Sequence, residues 1–262
     1  MGNDDATQGD PMVRVGSVPY LNAAPLVRGL EGRLRLLPPS KLAEELRAGR
    51  LDGGLVSITE ALFRDGYEVL EGLGVASRGE VYSVFLAHRG ALEDVRRVRC
   101  DRASLTSVNL LRVLLAERGL APEFEVLGSA EAAGDEEAVM LIGDAAIAFQ
   151  RSKPPHRIWD LGAAWWEWTG LPFVYAMWVL RRDVDTAEVR RELVRAARRG
   201  QVELDAVVRE ASGFDEAFRR VYLTRHTHHI LGEAEKAGVA RFVELLRRHG
   251  TVPVLEPRYV GG

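Results

Sequence analysis

From Met12 onward the chain alternates short runs of β-branched and aliphatic residues with stretches whose apolar residues recur at helical spacing. That alternation constrains the fold more than any other feature, because strands separated by helical segments line up in a sheet with the helices on its faces. Val13 to Val18, Leu34 to Leu37 and Gly53 to Ile58 are the first strands expected. Between them, Ala23 to Gly29 reads as helical. Leu42, Ala43 and Leu46 share one face of a helix with Ser40 as its expected N-cap and Gly49 as its stop. Thr59 and Glu60 open a short helix that ends near Gly66. The fold class is α/β.

Val81 to Ala87 reads as a longer strand, and the charged residues after it mark a crossover near His88 to Ala91. A second α/β unit follows: Val98 to Asp101, an amphipathic helix from about Ser107 to Arg118, the strand Phe124 to Leu127, and the apolar segments Ala138 to Ile142 and Ala145 to Phe149. Phe173 to Leu180 is apolar throughout and is expected to carry the chain back. The expected division is residues 12–89 and 178–262 in one lobe and 90–177 in the other, with residues 1–11 a disordered leader. After Arg182 helices dominate. Asp185-Thr186-Ala187-Glu188 has a capping-box pattern, and Phe214, Phe218, Val221 and Tyr222 make one apolar stripe while Val239, Phe242, Val243 and Leu246 make another. Arginines and acids are interspersed from Arg181 to Arg225, which describes a solvated outer face.

With 35 Lys+Arg against 38 Asp+Glu, the net charge of -3 draws the protein to neither nucleic acid nor an anionic membrane, so the expected partner is a small molecule. Oligomeric state is left open. The 262 residues suffice to bury roughly three quarters of the unfolded surface without a metal or disulfides. Cys100 is the only cysteine and no Cys/His spacing suits a zinc site. Asp4, Asp5 and Asp10 with no apolar run argue against a signal peptide, and no stretch reaches the ~18 apolar residues of a membrane span. A cytoplasmic location is expected.

Polar residues at strand ends are the site candidates. Asn22 stands where the first strand passes into a helix, the edge at which open α/β sheets bind ligands; it either faces a ligand or caps the helix. Ser104, Thr106 and Ser107 open another helix, whose unpaired amides suit a carboxylate or phosphate or whose hydroxyls serve as caps. Asp144 follows an apolar strand and either reaches a cleft or bonds within its own turn. Ser57 and Ser83 are polar breaks in apolar strands and need partners. His226, His228 and His229 cluster in sequence, but adjacent positions diverge and no carboxylate ligand is evident, so no metal is expected. Five tryptophans, Trp159, Trp165, Trp166, Trp168 and Trp178, crowd one region; most belong to the core, with one or two expected to line a pocket. No glycine-rich nucleotide motif follows a strand.

Taken together, Ser17-Val18-Pro19-Tyr20-Leu21-Asn22, Ser104-Leu105-Thr106-Ser107, Leu141-Ile142-Gly143-Asp144-Ala145-Ala146 and Asp160-Leu161-Gly162, with Trp165, Thr169-Gly170-Leu171-Pro172-Phe173 and Trp178, resemble the chorismate dehydratases of menaquinone biosynthesis by the futalosine route. The resemblance implies a two-lobed fold like the type II periplasmic solute-binding proteins. It also implies conversion of chorismate to 3-[(1-carboxyvinyl)oxy]benzoate and water, without cofactor. Asn22 is then the catalytic candidate, a planar amide able to donate to a substrate oxygen while accepting from another group. Ser17, Tyr20, Ser57, Ser83, Ser104, Thr106, Ser107 and Asp144 are the substrate-binding candidates. No conventional base stands in these motifs; the substrate's enolpyruvyl carboxylate is favoured for that role, with Asp144 as the alternative. Two rival functions are the pathway's dihydroxynaphthoate synthase, which takes a bulkier cyclised substrate, and a non-enzymatic solute-binding protein.

Overall fold

The computed structural model describes residues 14–100, 105–129, 131–250 and 252–262. The expected leader, Asp101 and Ser104 lie outside the described residues. Two sheets organise the chain. The first contains β1 (Val15–Ser17), β2 (Arg35–Leu36), β3 (Gly53–Ser57) and β4 (Tyr67–Ser77), and the second β5 (Val84–His88), β6 (Arg97–Cys100), β7 (Glu123–Val126), β8 (Ala138–Ile142) and β9 (Arg157–Asp160). The chain then returns to the first sheet with β10 (Phe173–Arg181), β11 (His228–Ile230) and β12 (Tyr259–Val260). Strand order is β11-β4-β10-β3-β1-β2, with β12 on β4, in one sheet and β7-β6-β8-β5-β9 in the other. The βα alternation produces parallel pairs at β1 with β2 and β3, and at β6 with β7 and β8; β10 runs antiparallel between β3 and β4.

Helices cover the sheets: α1 (Pro39–Arg47), α2 (Thr59–Phe63), α3 (Leu105–Ala116), α4 (Gly143–Arg151) and α5 (Leu161–Thr169), followed by α6 (Ala187–Val202), α7 (Leu204–Glu210), α8 (Glu216–Val221) and α9 (Glu233–His249). The main apolar cluster joins both halves, from Val56 and Leu46 through Leu86 and Leu111 to Trp165, Phe173 and Phe242. Trp165, Phe173 and Phe242 meet edge to face with ring centroids 5.0 to 6.1 Å apart. No described helix is long and apolar enough to cross a membrane.

Several expectations are corrected by local physics. The crossover does not lie near His88 to Ala91: Val84–His88 pairs with β8 and Phe85–His88 with β9, so β5 belongs to the second sheet and the chain crosses before Val84. Tyr82, at φ +65°, makes that bend. Phe173–Met177 likewise belongs to the first sheet with the rest of β10, and the return follows Gly170, which ends α5 at φ +66°. Ser40 is not an N-cap. Pro38 holds that position and Pro39, with its preset φ, begins α1. The stretch Ala23 to Gly29 is a single 3₁₀ segment, Leu21–Leu26, because Pro25 removes a donor that a longer helix needs. At α6 the Ala187 N–H is taken by Asp185 rather than by Thr186 (2.9 Å). Ala145–Phe149 lies within α4.

Candidate active site

β1 ends at Ser17, and Val18-Pro19-Tyr20 feeds straight into the 3₁₀ segment that carries Asn22. Three hydrogen bonds hold this turn. Ala23 N–H donates to the Tyr20 carbonyl at 3.0 Å, Leu21 N–H to Asp144 Oδ1 at 3.3 Å, and His229 Nε2 to the Asn22 carbonyl at 2.8 Å. The Tyr20 ring lies on Gly143, where a Cβ would come within 3.0 Å of it; φ of +60° there also favours glycine. Asn22 Oδ1 is buried and has no hydrogen-bond partner.

The crossing before β5 is pinned from a distance. Val81 and Tyr82 N–H groups donate to Asp160 at 3.1 and 2.8 Å, and the same carboxylate caps α5 through Ala163 N–H at 2.9 Å. Burial pushes the Asp160 carboxyl above its ordinary range while these three amides pull it down. Gly162 lets α5 approach: a Cβ there would lie 2.5 Å from the Gly79 carbonyl and 2.7 Å from the Ser77 hydroxyl. Ser83 is thereby set at the mouth of β5, where its hydroxyl accepts from the Tyr222 hydroxyl at 2.7 Å. Its carbonyl accepts from Gly143 N–H, the first residue of α4, at 2.9 Å.

These turns surround a small cavity between the two sheets, of about 70 Å³. Tyr20, Asn22, Ser57, Ser83 and Ser107, expected as site residues, line it together. Tyr175 and Gly143 line it as well, and the remaining wall is largely aliphatic, with Val18, Leu55, Val75 and Ile142. No Asp, Glu, Lys, Arg or His lines it among the described residues. The starts of α3 and α4 stand at its edge, so the positive ends of two helix dipoles take the place of cationic side chains.

Other candidates stand outside the lining. Ser17 is fully buried and its hydroxyl bonds the Val18 carbonyl at 3.4 Å. Thr106 is also fully buried; its hydroxyl meets that of Thr59 at 3.1 Å and accepts from Thr59 N–H at 3.4 Å. Asp144 bonds Leu21 across the chain rather than its own turn, and burial pushes its carboxyl up. The histidines diverge: His226 bonds the Glu80 carbonyl, His228 bonds Glu235, and His229 holds Asn22. Among the described residues no three His, Cys, Asp or Glu gather to hold a metal. The expectation that a tryptophan lines the pocket is corrected, since the flat faces come from Tyr20 and Tyr175; Trp165 and Trp178 are fully buried in the core.

Sequence reasoning missed Tyr222 and His229. Tyr222 hides in an apolar stripe, and only its contact with Ser83 exposes its polar use. Burial raises its phenol well above the ordinary range, opposed by its hydrogen bond with Ser83. Burial drives His229 down to about 4, so at neutral pH it is uncharged and donates its one N–H to Asn22.

A family model described as menaquinone biosynthesis matches residues 13–248. A chorismate dehydratase from Thermus thermophilus is 35% identical over 251 residues, covering 87% of this chain and 92% of that protein. A chorismate dehydratase from Campylobacter jejuni is 25% identical, covering 86% and 89%. Among solved structures, the alkanesulfonate-binding protein SsuA from Xanthomonas axonopodis superposes with a TM-score of 0.67 at 17% identity, over 97% of this chain and all of that one, which establishes a solute-binding-protein fold. Since the family match runs from the edge of β1 to the last helix, the chain belongs to the menaquinone-biosynthesis family.

Proposed function

We propose that the protein is a chorismate dehydratase, removing water from chorismate to give 3-[(1-carboxyvinyl)oxy]benzoate for menaquinone biosynthesis. The observation that carries this reading is the 35% identity, over nearly the full length of both chains, to the Thermus protein of that name. The chemistry of the cavity supports it. Chorismate loses the C3 proton and the C4 hydroxyl, and its ring becomes aromatic, so the reaction is downhill and needs no electron acceptor. The protein's task is to orient the ring and stabilise charge. As the C3 proton leaves, negative charge spreads through the diene to the ring carboxylate, where the amides at the start of α3 or α4 receive it. A lining without ionisable acids or bases other than phenols favours the substrate's enolpyruvyl carboxylate as the proton acceptor. Asp144, engaged with Leu21 and outside the lining, is the weaker choice. In this reading each sheet anchors one lobe around the substrate, and the enzyme works in the cytoplasm, a setting compatible with a lone Cys100.

The test is incubation of purified protein with chorismate, without added metal or nucleotide, followed by mass analysis of the product. Formation of the carboxyvinyl-oxybenzoate is expected. Chorismate bound tightly and recovered unchanged would make the protein a solute carrier, and turnover of only a bulkier cyclised substrate would make it the sister enzyme.

A further inference from the structure

Helix α4 springs from the second sheet, yet one of its faces is spent on the first. Gly143, Ile147 and Arg151 stand four residues apart and share that face. Gly143 lies against the Tyr20 ring, Ile147 is buried in one apolar cluster with Leu21, and Arg151 pairs at 2.6 Å with Asp215, the N-cap of α8. Asp144, beside Gly143 in the first turn, accepts the Leu21 N–H at 3.3 Å. That N–H belongs to the first residue of its 3₁₀ segment, and the opening N–H groups of a helical segment have no acceptor within it. The acceptor comes here from the opposite sheet. A carboxylate suits the place, because the first turn of α4 is the positive end of its dipole. The consequence falls on Asn22. Its carbonyl is held at 2.8 Å by His229, whose strand β11 belongs to the first sheet, and the N–H one residue earlier is held by Asp144 from the second. Partners from different sheets thus pin the chain on both sides of Asn22. Asp144 itself stands outside the cavity lining, whereas Asn22 is part of it.

We propose that Asp144 is a positioning residue: its carboxylate brings α4 onto the Leu21 N–H and thereby fixes the turn that presents Asn22 to the cavity. The inference rests on the chorismate reading, in which Asn22 is the catalytic candidate. It gives Asp144 a part in the reaction without a proton transfer, so what matters is an oxygen that accepts, not a base that titrates. Asn22 is then in place only while α4 is docked on the first sheet, which ties the competence of the site to the union of the two sheets. An ångström of displacement at a reacting group can cost about a hundredfold in rate.

The experiment compares Asp144→Ala and Asp144→Asn with the wild-type protein, in chorismate turnover and in hydrogen exchange at the Leu21 amide without substrate. Alanine removes the acceptor. The Leu21 amide should then exchange about tenfold faster, the effect of losing one hydrogen bond. At the same time kcat should fall at least about tenfold while KM stays within about threefold, since the turn is displaced and no substrate contact is removed. Asparagine keeps an oxygen in the same place, so it should restore the protection of Leu21 and bring kcat back to within about threefold of wild type. A catalytic base would behave otherwise, because a neutral amide takes no proton from carbon. An Asp144→Asn protein that protects Leu21 yet is as inactive as Asp144→Ala therefore overturns the proposal. So does a folded Asp144→Ala protein with wild-type kcat, which would leave the bond a role in stability alone, or one whose Leu21 amide exchanges as in wild type. Failure of the functional reading looks different: a wild-type protein that leaves chorismate intact sinks that reading, whatever the exchange at Leu21.

Discussion

The turn around Asn22 and the start of α3 at Thr106 both bring short polar side chains beside one cavity, and they differ in what those side chains already do. Thr106 spends its hydroxyl on Thr59, both on the side chain and on the backbone N–H. Asn22 has its backbone carbonyl held by His229 and its carboxamide oxygen left unpaired. By position alone the two are equivalent, since each lies where a helical segment begins. By satisfaction they are opposites: one is closed within the protein, and the other is complete only when something else supplies a donor.

The sharpest way to break this comparison is Asn22→Ala. The orphaned oxygen adds nothing to the folded state, so its removal should change stability by no more than about 1–2 kcal/mol. Turnover should fall by at least about a hundredfold, the size of loss that follows when one preorganised polar group aimed at the reacting atoms is removed. Chorismate consumption and thermal unfolding, measured on the same sample, check both halves. A folded variant with near-normal turnover would place Asn22 with Thr106 as a structural residue.

Next in size is a pH effect that belongs to the Asn22 turn alone. An unfolded histidine titrates near 6.5, and His229 in the folded state near 4, because burial disfavours its charged form. Between those values the unfolded chain takes up a proton that the native protein refuses. Stability from this group is therefore complete above about pH 6.5 and is lost as pH falls toward 4, by about 3 kcal/mol in all. His229→Gln keeps a donor for the Asn22 carbonyl without titrating in this range. Denaturant unfolding at a series of pH values should give a flatter profile for the variant by about that amount. Glu45 and Glu235, held down to about 2, lose their ion pairs at lower pH in both proteins. Parallel profiles would mean that His229 does not anchor the turn.

What sequence could and could not reveal follows the same division between local and distant partners. Gly53–Ser57, Leu105–Ala116 and Phe173–Arg181 were legible because unbroken apolar runs or helical spacing dictate them locally. The crossover was misplaced because Val81 to Ala87 reads as one strand, whereas Asp160, some eighty residues on, bends it at Tyr82 (|i−j| = 78). In the same way, Asn22, Ser57, Ser83 and Ser107 were visible as polar breaks at the ends of apolar elements, and they do come together at the cavity. Whether a hydroxyl faces that cavity or a neighbour was not visible, because Thr59 meets Thr106 and Tyr222 meets Ser83 only through the tertiary fold. Helical periodicity assigns Tyr222 correctly to a buried stripe and is silent on where its oxygen points.

Thr106→Ala should produce the smallest effect, and it tests the closed side of the comparison. The Thr106 hydroxyl is fully buried, and its two contacts go to Thr59, one of them to the N–H that opens α2. Removing it orphans that N–H and the Thr59 hydroxyl together, which costs about 1 kcal/mol after the neighbouring groups relax. The substrate carboxylate loses nothing in this arrangement, because the backbone amides of the α3 start remain and the hydroxyl was never turned toward the cavity. The expected outcome is a small drop in unfolding midpoint with KM for chorismate within about twofold of wild type, well inside the single hydrogen bond that a real contact would lose. A KM raised about fivefold or more at unchanged stability would show that Thr106 leaves Thr59 when substrate arrives. The two turns would then share one property: each would hold its polar group ready for the ligand, Asn22 by leaving it unpaired and Thr106 by exchanging a protein partner for the substrate.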